Sequence, residues 1–564
     1  MKRLLILTLC FVFGTLSIDI MAQWTSNPNL NTEVSAPRNR VYAWDFGVNP
    51  DNSITTAFLS PGDGNIEMWY NVHDVDGKSI FEDGSKMVAS NPTLLYTMFN
   101  AMAYHDSQGN MLMMYQSKRN ATAQGVIGDR LNYDVYKLSP SGDMLWSEPV
   151  DLNRGTFCAD AQGSLTVADL DDGSYIFAYA DYYTPEAAET YTSRIIMERV
   201  SADGKLLWDE PLAIEDPTIM YAYPYLVPAG DNQVILLYAK GSNQDLMLRK
   251  IDFDGSSVWN EDVKVYRGGF PSVPIWTFLS IIPDGKGGAI VGWRDDRYFT
   301  NYEKTYVSHI LSDGSYAYAS GIEGEAVGYT EGMRSFEPTM LYDKEGDFLY
   351  TIRRETNMGQ SVQRLMLQKM ASTGELLWGP EGVEMRPDDG CLVAFFDLEF
   401  AEDGNIVAFY MVQVGGNDVA AYAHKFNKET GEPMWEHDVL FTPTIESRSE
   451  LKVSPLIDGK YWVAMWEDER VLEDDDTSVD WTEMPIRLYM QRINIDGSLG
   501  PIAEVTSIDS VNDEFTISVQ GNSIIAPTDA KIYNFNGVQV GSQNLQSGVY
   551  VVVCGDKAQK VLVK

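Results

Sequence analysis

Basic side chains, histidine and cysteine are all scarce in this chain of 564 residues. Lysine and arginine number 42 against 81 aspartates and glutamates, which gives a formal net charge of −39. A surface of this sign repels phosphate backbones and anionic lipid, so it argues against nucleic acid and the membrane surface as partners. The five histidines show no spacing suited to zinc or to a serine–histidine pair. Four cysteines are too few for a disulfide framework.

Long apolar runs are also missing beyond the first residues. Lys2 and Arg3 precede the apolar stretch Leu4–Leu16, and Ile20–Ala22 forms an acceptable cleavage site, so residues 1–22 are predicted to be a secretory signal peptide. No later run reaches the ~20 apolar residues that a membrane-spanning helix needs. The sequence therefore predicts an exported protein without a transmembrane segment.

A short motif recurs along the chain, in which a turn glycine is followed four residues later by tryptophan. Its strong copies end at Trp146, Trp208, Trp259, Trp378 and Trp435. Weaker copies centre on Gly77, Gly314 and Gly497, and the eight turn glycines lie 51 to 66 residues apart. A period of this size indicates repeated modules with loop insertions. The fixed distance from turn to indole predicts that these tryptophans pack between modules.

Each module contains four short runs of β-branched and aromatic residues separated by Asp-Gly or Asn-Gly turns, which is typical of β-hairpins. In repeat seven the predicted strands are Phe395–Phe400, Ile406–Met411, Ala420–Asn427 and Pro433–Leu440. We therefore predict an all-β fold with an eight-bladed β-propeller over residues 41–505. Seven blades is the alternative, because repeats one and eight are the least regular. Residues 23–40, rich in Asn, Ser, Thr and Pro, are predicted to be a flexible lead-in.

Residues 511–564 lack the motif and alternate like a small C-terminal β-sandwich domain. KIYNFNG (Lys531–Gly537), LQSGVYVV (Leu545–Val552) and KVLVK (Lys560–Lys564) resemble the C-terminal sorting domain of Bacteroidetes type IX secretion substrates. This resemblance implies the type IX export machinery as a partner, and a location that is secreted or on the outer-membrane cell surface. NKETGEPMW (Asn427–Trp435) resembles the tryptophan-docking motif of eight-bladed pyrroloquinoline quinone dehydrogenases, which implies blade packing and carries no cofactor across.

Two repeats carry W-x-D-x-R at the end of the second strand, and this pattern resembles repeats of bacterial secreted propellers. The six candidate ligand-binding residues are Trp293, Asp295, Arg297, Trp466, Asp468 and Arg470. An arginine fork beside an indole, on the face with the variable loops, could hold a carboxylate or stack on a sugar. In the alternative interpretation the aspartate pairs with its own arginine and the tryptophan packs between blades. The recurrence of the motif favours this alternative.

An acidic run at residues 465–485 contains the candidate metal ligands Asp474, Asp475 and Asp476. Carboxylate oxygens at this density could bind Ca²⁺. Their spacing matches no calcium loop, however, and acidic runs are usually solvated. The sequence predicts no other cofactor.

Taken together, these patterns predict a secreted or surface-displayed β-propeller that binds a glycan or an extracellular protein. The ligand is expected on the face with the variable loops, such as Arg294–Lys304, because loops with room for insertion commonly carry function. Binding is favoured over catalysis. The alternatives are a carbohydrate-active enzyme, either a glycoside hydrolase or a lyase with carboxylates meeting at the channel mouth, and a structural surface-layer protein.

Overall fold

The computed structural model describes residues 24–563 apart from several segments, so the predicted signal peptide (1–22) lies outside the described residues. The segments left out are 63–65, 92–93, 96–101, 118–131, 155–164, 185–191, 243, 267–279, 299, 337, 387–390, 416–417, 444–447, 473–474, 476–483, 502–516, 528–529, 535–537 and 555–556. The chain forms two compact units, Met1–Pro501 and Ile502–Lys564. Across the described ranges, no helix has the length and apolar character needed to cross a membrane.

Strands dominate both units, and the one helical element among the described residues is a 3₁₀ turn at Gly321–Glu323. The first unit contains eight antiparallel sheets in its described part, which we number one to eight in chain order. The strands pair in chain order, except that in sheets two and six the first two strands both pair with the third, and that sheet eight takes a strand from the N-terminal segment. The all-β prediction and the four-stranded modules are therefore confirmed.

The bounds of the strands in the first four sheets are as follows. Sheet one contains Trp44–Val48, Ile54–Pro61, Ile66–His73 and Lys86–Asn91. In sheet two, Leu94–Leu95 and Met102–His105 both pair with Met111–Ser117, followed by Asn132–Leu138 and Val150–Asp151. Sheet three contains Thr166–Asp169, Tyr175–Tyr183, Thr192–Val200 and Leu212–Ile214. Sheet four contains Tyr221–Gly230, Gln233–Lys240, Asp245–Asp252 and Val263–Tyr266.

The last four sheets follow the same plan. Sheet five contains Ser280–Pro283, Ala289–Asp295, Lys304–Ile310 and Glu325–Ala326. In sheet six, Arg334–Ser335 and Thr339–Asp343 both pair with Phe348–Thr356, followed by Gln363–Ala371 and Val383–Arg386. Sheet seven contains Leu392–Phe400, Ile406–Gly415, Asp418–Phe426 and Val439–Thr442. Sheet eight contains Arg448–Val453, Tyr461–Asp468 and Arg487–Asn494, with Thr32–Glu33 as its fourth strand.

Each repeated tryptophan docks on the turn of the next sheet. The indole nitrogen of Trp146 donates to the carbonyl of Ala202 at 3.0 Å, two residues before the turn glycine Gly204. Trp208, Trp259 and Trp378 make the same bond at 3.0 Å to the carbonyls of Phe253, Ser312 and Glu429. Gly204 has φ of 83°, and a Cβ added there would lie 2.9 Å from the Trp146 ring, so glycine is required for both the turn and the contact. The predicted packing role of the tryptophans is confirmed.

The N-terminal segment completes this series. Repeat eight has Pro501 where the other repeats have an aromatic residue, and Trp24 supplies the missing indole. Its nitrogen donates to the carbonyl of Val75 at 2.8 Å, again two residues before a turn glycine, Gly77. A Cβ added at Gly77 would lie 2.7 Å from the Trp24 ring.

Residues 24–40 are therefore not the flexible lead-in that their composition predicts. Thr32 and Glu33 pair with Met490 and Tyr489 of sheet eight, and the backbone N–H of Val34 donates to Leu488 at 2.8 Å. The side chains of Trp24 and Val34 are buried. The polar residues of this segment satisfy backbone groups that would otherwise be left unpaired at the edge of sheet eight.

The first strands of successive sheets are neighbours. Such contacts join sheets one and two, and they join each sheet from three to seven to the sheet that follows it. Between sheets two and three, the Tyr104 hydroxyl donates to Asp169 at 2.6 Å. Between sheets eight and one, the Lys452 ammonium lies 3.0 Å from both the Trp44 carbonyl and an Asp45 carboxylate oxygen. The last sheet thus contacts the first.

The second unit has its own core. Its strands are Ser518–Gln520 and Ser523–Ile525 in one sheet, and Gln539–Val540, Lys531–Asn534, Gly548–Cys554 and Lys557–Val563 in another. Ile524 from the smaller sheet packs with Ile532, Tyr550, Val552 and Val561 from the larger one. Three of these strands overlap the segments that resemble the sorting domain.

We expect Trp24→Ala and Trp259→Ala each to lower the free energy of unfolding by about 3–5 kcal/mol, because each removes a buried indole and leaves a turn carbonyl without its donor. Urea unfolding followed by fluorescence measures the change. Tyr298→Ala is the matched control, since this side chain is 68% exposed, and its effect should stay within about 0.5 kcal/mol. Equal stability of all three variants would contradict the docking role.

Candidate functional site

The W-x-D-x-R residues of sheet five form a closed internal cluster. Trp293 is fully buried, and its indole nitrogen donates to Asp295 Oδ2 at 2.9 Å. Arg297 donates to both oxygens of the same carboxylate, from Nε at 2.8 Å and from Nη2 at 2.6 Å. Its guanidinium carbon lies 3.7 Å from the ring centroid of Tyr306. Every polar arm of the motif is thus occupied within the protein.

The copy in sheet eight is similar, although Arg470 bonds one carboxylate oxygen where Arg297 bonds two. The indole of Trp466 donates to Asp468 Oδ2 at 3.0 Å, and Arg470 Nη2 donates to that oxygen at 2.6 Å. Arg470 stacks on Tyr489 at 3.9 Å and also donates to Asn31 Oδ1 at 3.0 Å. Here the motif additionally holds the N-terminal segment.

The ligand-binding role predicted for Trp293, Asp295, Arg297, Trp466, Asp468 and Arg470 is therefore not supported by their geometry. A carboxylate removed from water is stable only with a close cation and hydrogen-bond donors, and each aspartate has both from its own motif. The alternative interpretation, in which the aspartate pairs with its own arginine, describes both copies. Sheet three repeats the principle with Asp181 and Arg194, whose Nε lies 2.9 Å from the carboxylate.

The acidic run offers no metal site in the residues that the structure describes. Asp474 and Asp476 lie outside the described residues. Asp475 is bound by Arg487, whose Nη2 and Nη1 donate to its two oxygens at 2.5 and 3.0 Å. This ion pair lowers the pKa of Asp475 through the hydrogen bond from Arg487. Asp475 is thus paired with an arginine, and the metal role predicted for the acidic run stays a prediction.

A cavity of about 270 Å³ lies where the first strands of sheets one, seven and eight meet. We call it the seam cavity. Sheet one contributes Asp45–Val48, sheet seven contributes Asp397, and sheet eight contributes Lys452–Pro455. Lys452 forms an ion pair with Asp45, and Asp397 adds a half-buried carboxyl. The wall of the cavity therefore carries groups of both charge signs. Its volume is near the lower limit of the ~300–1,000 Å³ typical of small-molecule sites.

Asp397 and Glu399 form a carboxyl pair on one strand of sheet seven. They lie two residues apart, so their side chains leave the same side of the strand. Burial raises the pKa of Asp397 to about 6, against hydrogen bonds from the backbone N–H groups of Leu398 and Val453. Burial and the neighbouring Asp397 raise the pKa of Glu399 to about 9. Near neutral pH the pair therefore combines an ionised carboxylate with a protonated acid.

Another buried carboxyl, that of Glu467, links sheets eight and one. It accepts hydrogen bonds from the Trp44 indole at 3.0 Å and from the Ser449 hydroxyl at 2.9 Å. Burial raises its pKa to about 7.

The backbone is strained in the first strands of sheets seven and eight. Phe395 and Glu450 have φ of 43° and 57°, and each lies at a register shift of its strand.

Sequence reasoning did not single out Asp397 and Glu399. Their segment, FFDLEF, alternates apolar and acidic residues like an ordinary strand with one solvated face. The informative feature is their place on the first strand of a module, since the first strands of sheets one, seven and eight line the cavity. Carboxylates on first strands are thus the signal by which the pair could have been found.

No family model and no curated protein matches this chain. Among solved structures, the polysaccharide lyase Uly1 is 11% identical, with 83% of this chain and 92% of that one covered and a TM-score of 0.42. A eukaryotic initiation factor is 10% identical, with coverage of 85% and 95% and a TM-score of 0.40. Prolyl oligopeptidase B from Galerina marginata is 12% identical, with coverage of 77% and 56% and a TM-score of 0.40. Likenesses of this size assign no activity to the chain.

We expect thermal stability to fall as the pH rises from about 5 to 9, and Glu399→Gln to reduce that fall. The pKa of Glu399 is higher in the folded protein than in the unfolded chain, so the unfolded chain loses this proton at a lower pH. The free energy of unfolding therefore falls by up to about 1.4 kcal/mol for each pH unit in this window. Melting temperatures of both proteins at several pH values measure the effect.

Asp254→Asn is the matched control for the Glu399 experiment. The hydrogen bond from Ser256 lowers the pKa of this exposed turn carboxyl, so it stays ionised throughout the window and its removal should leave the slope unchanged. Parallel pH curves for the wild type and Glu399→Gln would show that Glu399 is ionised in the folded protein.

Proposed function

We propose that residues 24–501 form an eight-bladed β-propeller that binds a glycan outside the cell, with the seam cavity as the binding site. The eight sheets in succession and the contact of sheet eight with sheet one support the ring. The docking of Trp24 in place of the indole that repeat eight lacks supports eight blades rather than seven. The observation that carries the function is the seam cavity with Asp397 in its wall and Glu399 two residues further along the same strand.

The polar groups in and beside this cavity suit the hydroxyl groups of a sugar. Protonated Glu399 can donate a hydrogen bond, ionised Asp397 can accept one, and Lys452 adds a further donor. Phe46 supplies an apolar surface in the wall. A space of about 270 Å³ suits one or two sugar rings, whereas a folded protein partner would have to insert a single side chain.

The carboxyl pair also favours a second function, that of a carbohydrate-active enzyme. Two carboxyls with separated pKa values are the usual arrangement of a general base and a general acid. The Cα atoms of residues two apart on a strand are ~6.6 Å apart and their side chains leave the same face, so both carboxyls can reach one bound sugar. The binding function remains the first proposal, because it needs only the observed cavity.

A glycan array probed with the full-length protein tests both functions. We expect one glycan class to bind, with Asp397→Asn lowering the affinity ~10-fold or more and the exposed-turn variant Asp254→Asn leaving it unchanged. Binding that Asp397→Asn does not weaken would contradict the seam cavity as the site. New reducing ends or unsaturated products from the bound glycan, lost in Asp397→Asn and Glu399→Gln, would instead establish the enzyme.

Residues 511–564 are proposed to direct export by the type IX machinery, which makes the protein secreted or displayed on the outer-membrane surface. Support comes from the resembling segments and from the separate core of the second unit, in which these residues lie. We expect deletion from Val511 to leave a folded first unit that is retained inside the cell. Protease accessibility on intact cells measures this, and equal surface display of both forms would contradict the proposal.

A further inference from the structure

The carboxylate of Asp397 reaches from the first strand of sheet seven to the first strand of sheet eight. It accepts hydrogen bonds from the backbone N–H of Leu398, at 2.8 Å, and from the backbone N–H of Val453. Asp397 and Val453 both line the seam cavity, and the side chain of Asp397 is half-buried. Because a carboxylate offers about four acceptor positions, these two bonds leave it able to accept further hydrogen bonds from a ligand.

No basic side chain pairs with this carboxylate within the part of the chain that the structure describes. Lys452, the one basic residue among those that line the cavity, forms its ion pair with Asp45 at 3.0 Å and also donates to the Trp44 carbonyl. Glu399, on the same side of the strand as Asp397, has neither an ion pair nor a hydrogen bond to any described residue. With Asp397 ionised, the cavity wall therefore carries one more negative charge than positive charge.

Other buried carboxylates of this chain obtain a cation from the protein itself. The side chains of Asp295, Glu355 and Asp468 are fully buried, and each binds an arginine at 2.6 to 2.8 Å. A carboxylate without such a partner is costly to bury, because its lost hydration is not replaced. Burial accordingly raises the pKa of Asp397. A ligand with a positive charge would supply the cation that the protein provides elsewhere, so the cavity favours it over a neutral ligand.

We propose that the seam cavity binds the ammonium group of an amino sugar, with Asp397 as its ion-pair partner, an inference that rests on the glycan-binding function proposed above. An ammonium group donates hydrogen bonds and accepts none, so it suits a carboxylate that still has acceptor positions. Phe46 lines the same cavity and offers an apolar surface to the sugar ring. A lysine side chain of a partner protein carries the same cation but has no ring, and it would leave more of the 270 Å³ unfilled.

Three oligosaccharides that differ in a single substituent of each ring test this inference. They are the tetramers of glucosamine, N-acetylglucosamine and glucose, all with the linkage of cellulose, which carry an ammonium, an acetamide and a hydroxyl group at the same position. Isothermal titration calorimetry with the full-length protein near neutral pH measures their affinities. We expect the glucosamine tetramer to bind ~10-fold or more tightly than either neutral tetramer, and its affinity to fall as salt is added.

Asp397→Asn should remove this preference, because the amide keeps the size of the side chain and loses its charge. We expect the variant to bind the glucosamine tetramer ~10-fold or more weakly than the wild type does, with a smaller change for the neutral tetramers. Asp254→Asn is the matched control, since it removes the carboxylate of an exposed turn and should leave all three affinities unchanged. Melting temperatures show whether each variant is folded.

The outcomes separate this inference from the function on which it rests. A preference for the glucosamine tetramer that Asp397→Asn removes supports the ammonium site, whereas a preference that persists in a folded Asp397→Asn overturns Asp397 as the partner. Equal or tighter binding of a neutral tetramer overturns the inference and leaves glycan binding intact. Binding of no tetramer overturns it as well, and capture of polylysine in that case would replace the glycan by a basic protein segment. The comparison on the wild type needs no variant, so it stays decisive if Asp397→Asn is unstable.

Discussion

The docking of an indole on the glycine turn of the next sheet is the interaction on which the rest of the structure depends. The bond from Trp146 to the Ala202 carbonyl recurs with closely similar length in sheets four, five and seven. Each sheet buries one face against its neighbour, so a single sheet has no complete core by itself. The series would stop at sheet eight, where Pro501 replaces the aromatic. Trp24 removes that defect and joins the end of the repeats to their beginning.

The contact between the last sheet and the first also explains where the candidate site lies. Sheets seven, eight and one meet at the seam, and their first strands line the cavity that contains Asp397 and Lys452. Regular strands would pack these edges closely, whereas Phe395 and Glu450 interrupt two of them with a left-handed residue at a register shift. Strained backbone of this kind is retained where the surrounding structure compensates for it, and it commonly accompanies function.

The sequence predicted the fold better than the site. Turn glycines and the tryptophans four residues later are local features, and their spacing alone located the eight modules. Residues 24–40 were misjudged because their polar composition is typical of a loop, while their structure depends on the distant edge of sheet eight. The site was missed for a related reason. Whether Asp397 is solvated or buried depends on which strands lie opposite it, and these are about 50 residues away in sheet eight and about 350 away in sheet one.

The two W-x-D-x-R motifs show why composition alone misled the search for a site. Aspartate, arginine and an aromatic ring are the groups that bind sugars, and they are equally the groups that neutralise one another inside a protein. Arg297 and Arg470 each bind an aspartate two residues away and stack on a tyrosine, so their charge is satisfied before any ligand arrives. For Asp397 and Glu399, burial rather than an ion pair determines the protonation state. A carboxyl held neutral by burial costs folding free energy, and such groups concentrate at binding and catalytic sites. In a chain with 81 acidic residues, the carboxyls whose pKa is raised by burial are therefore more informative about function than the carboxylates that form an ion pair with an arginine.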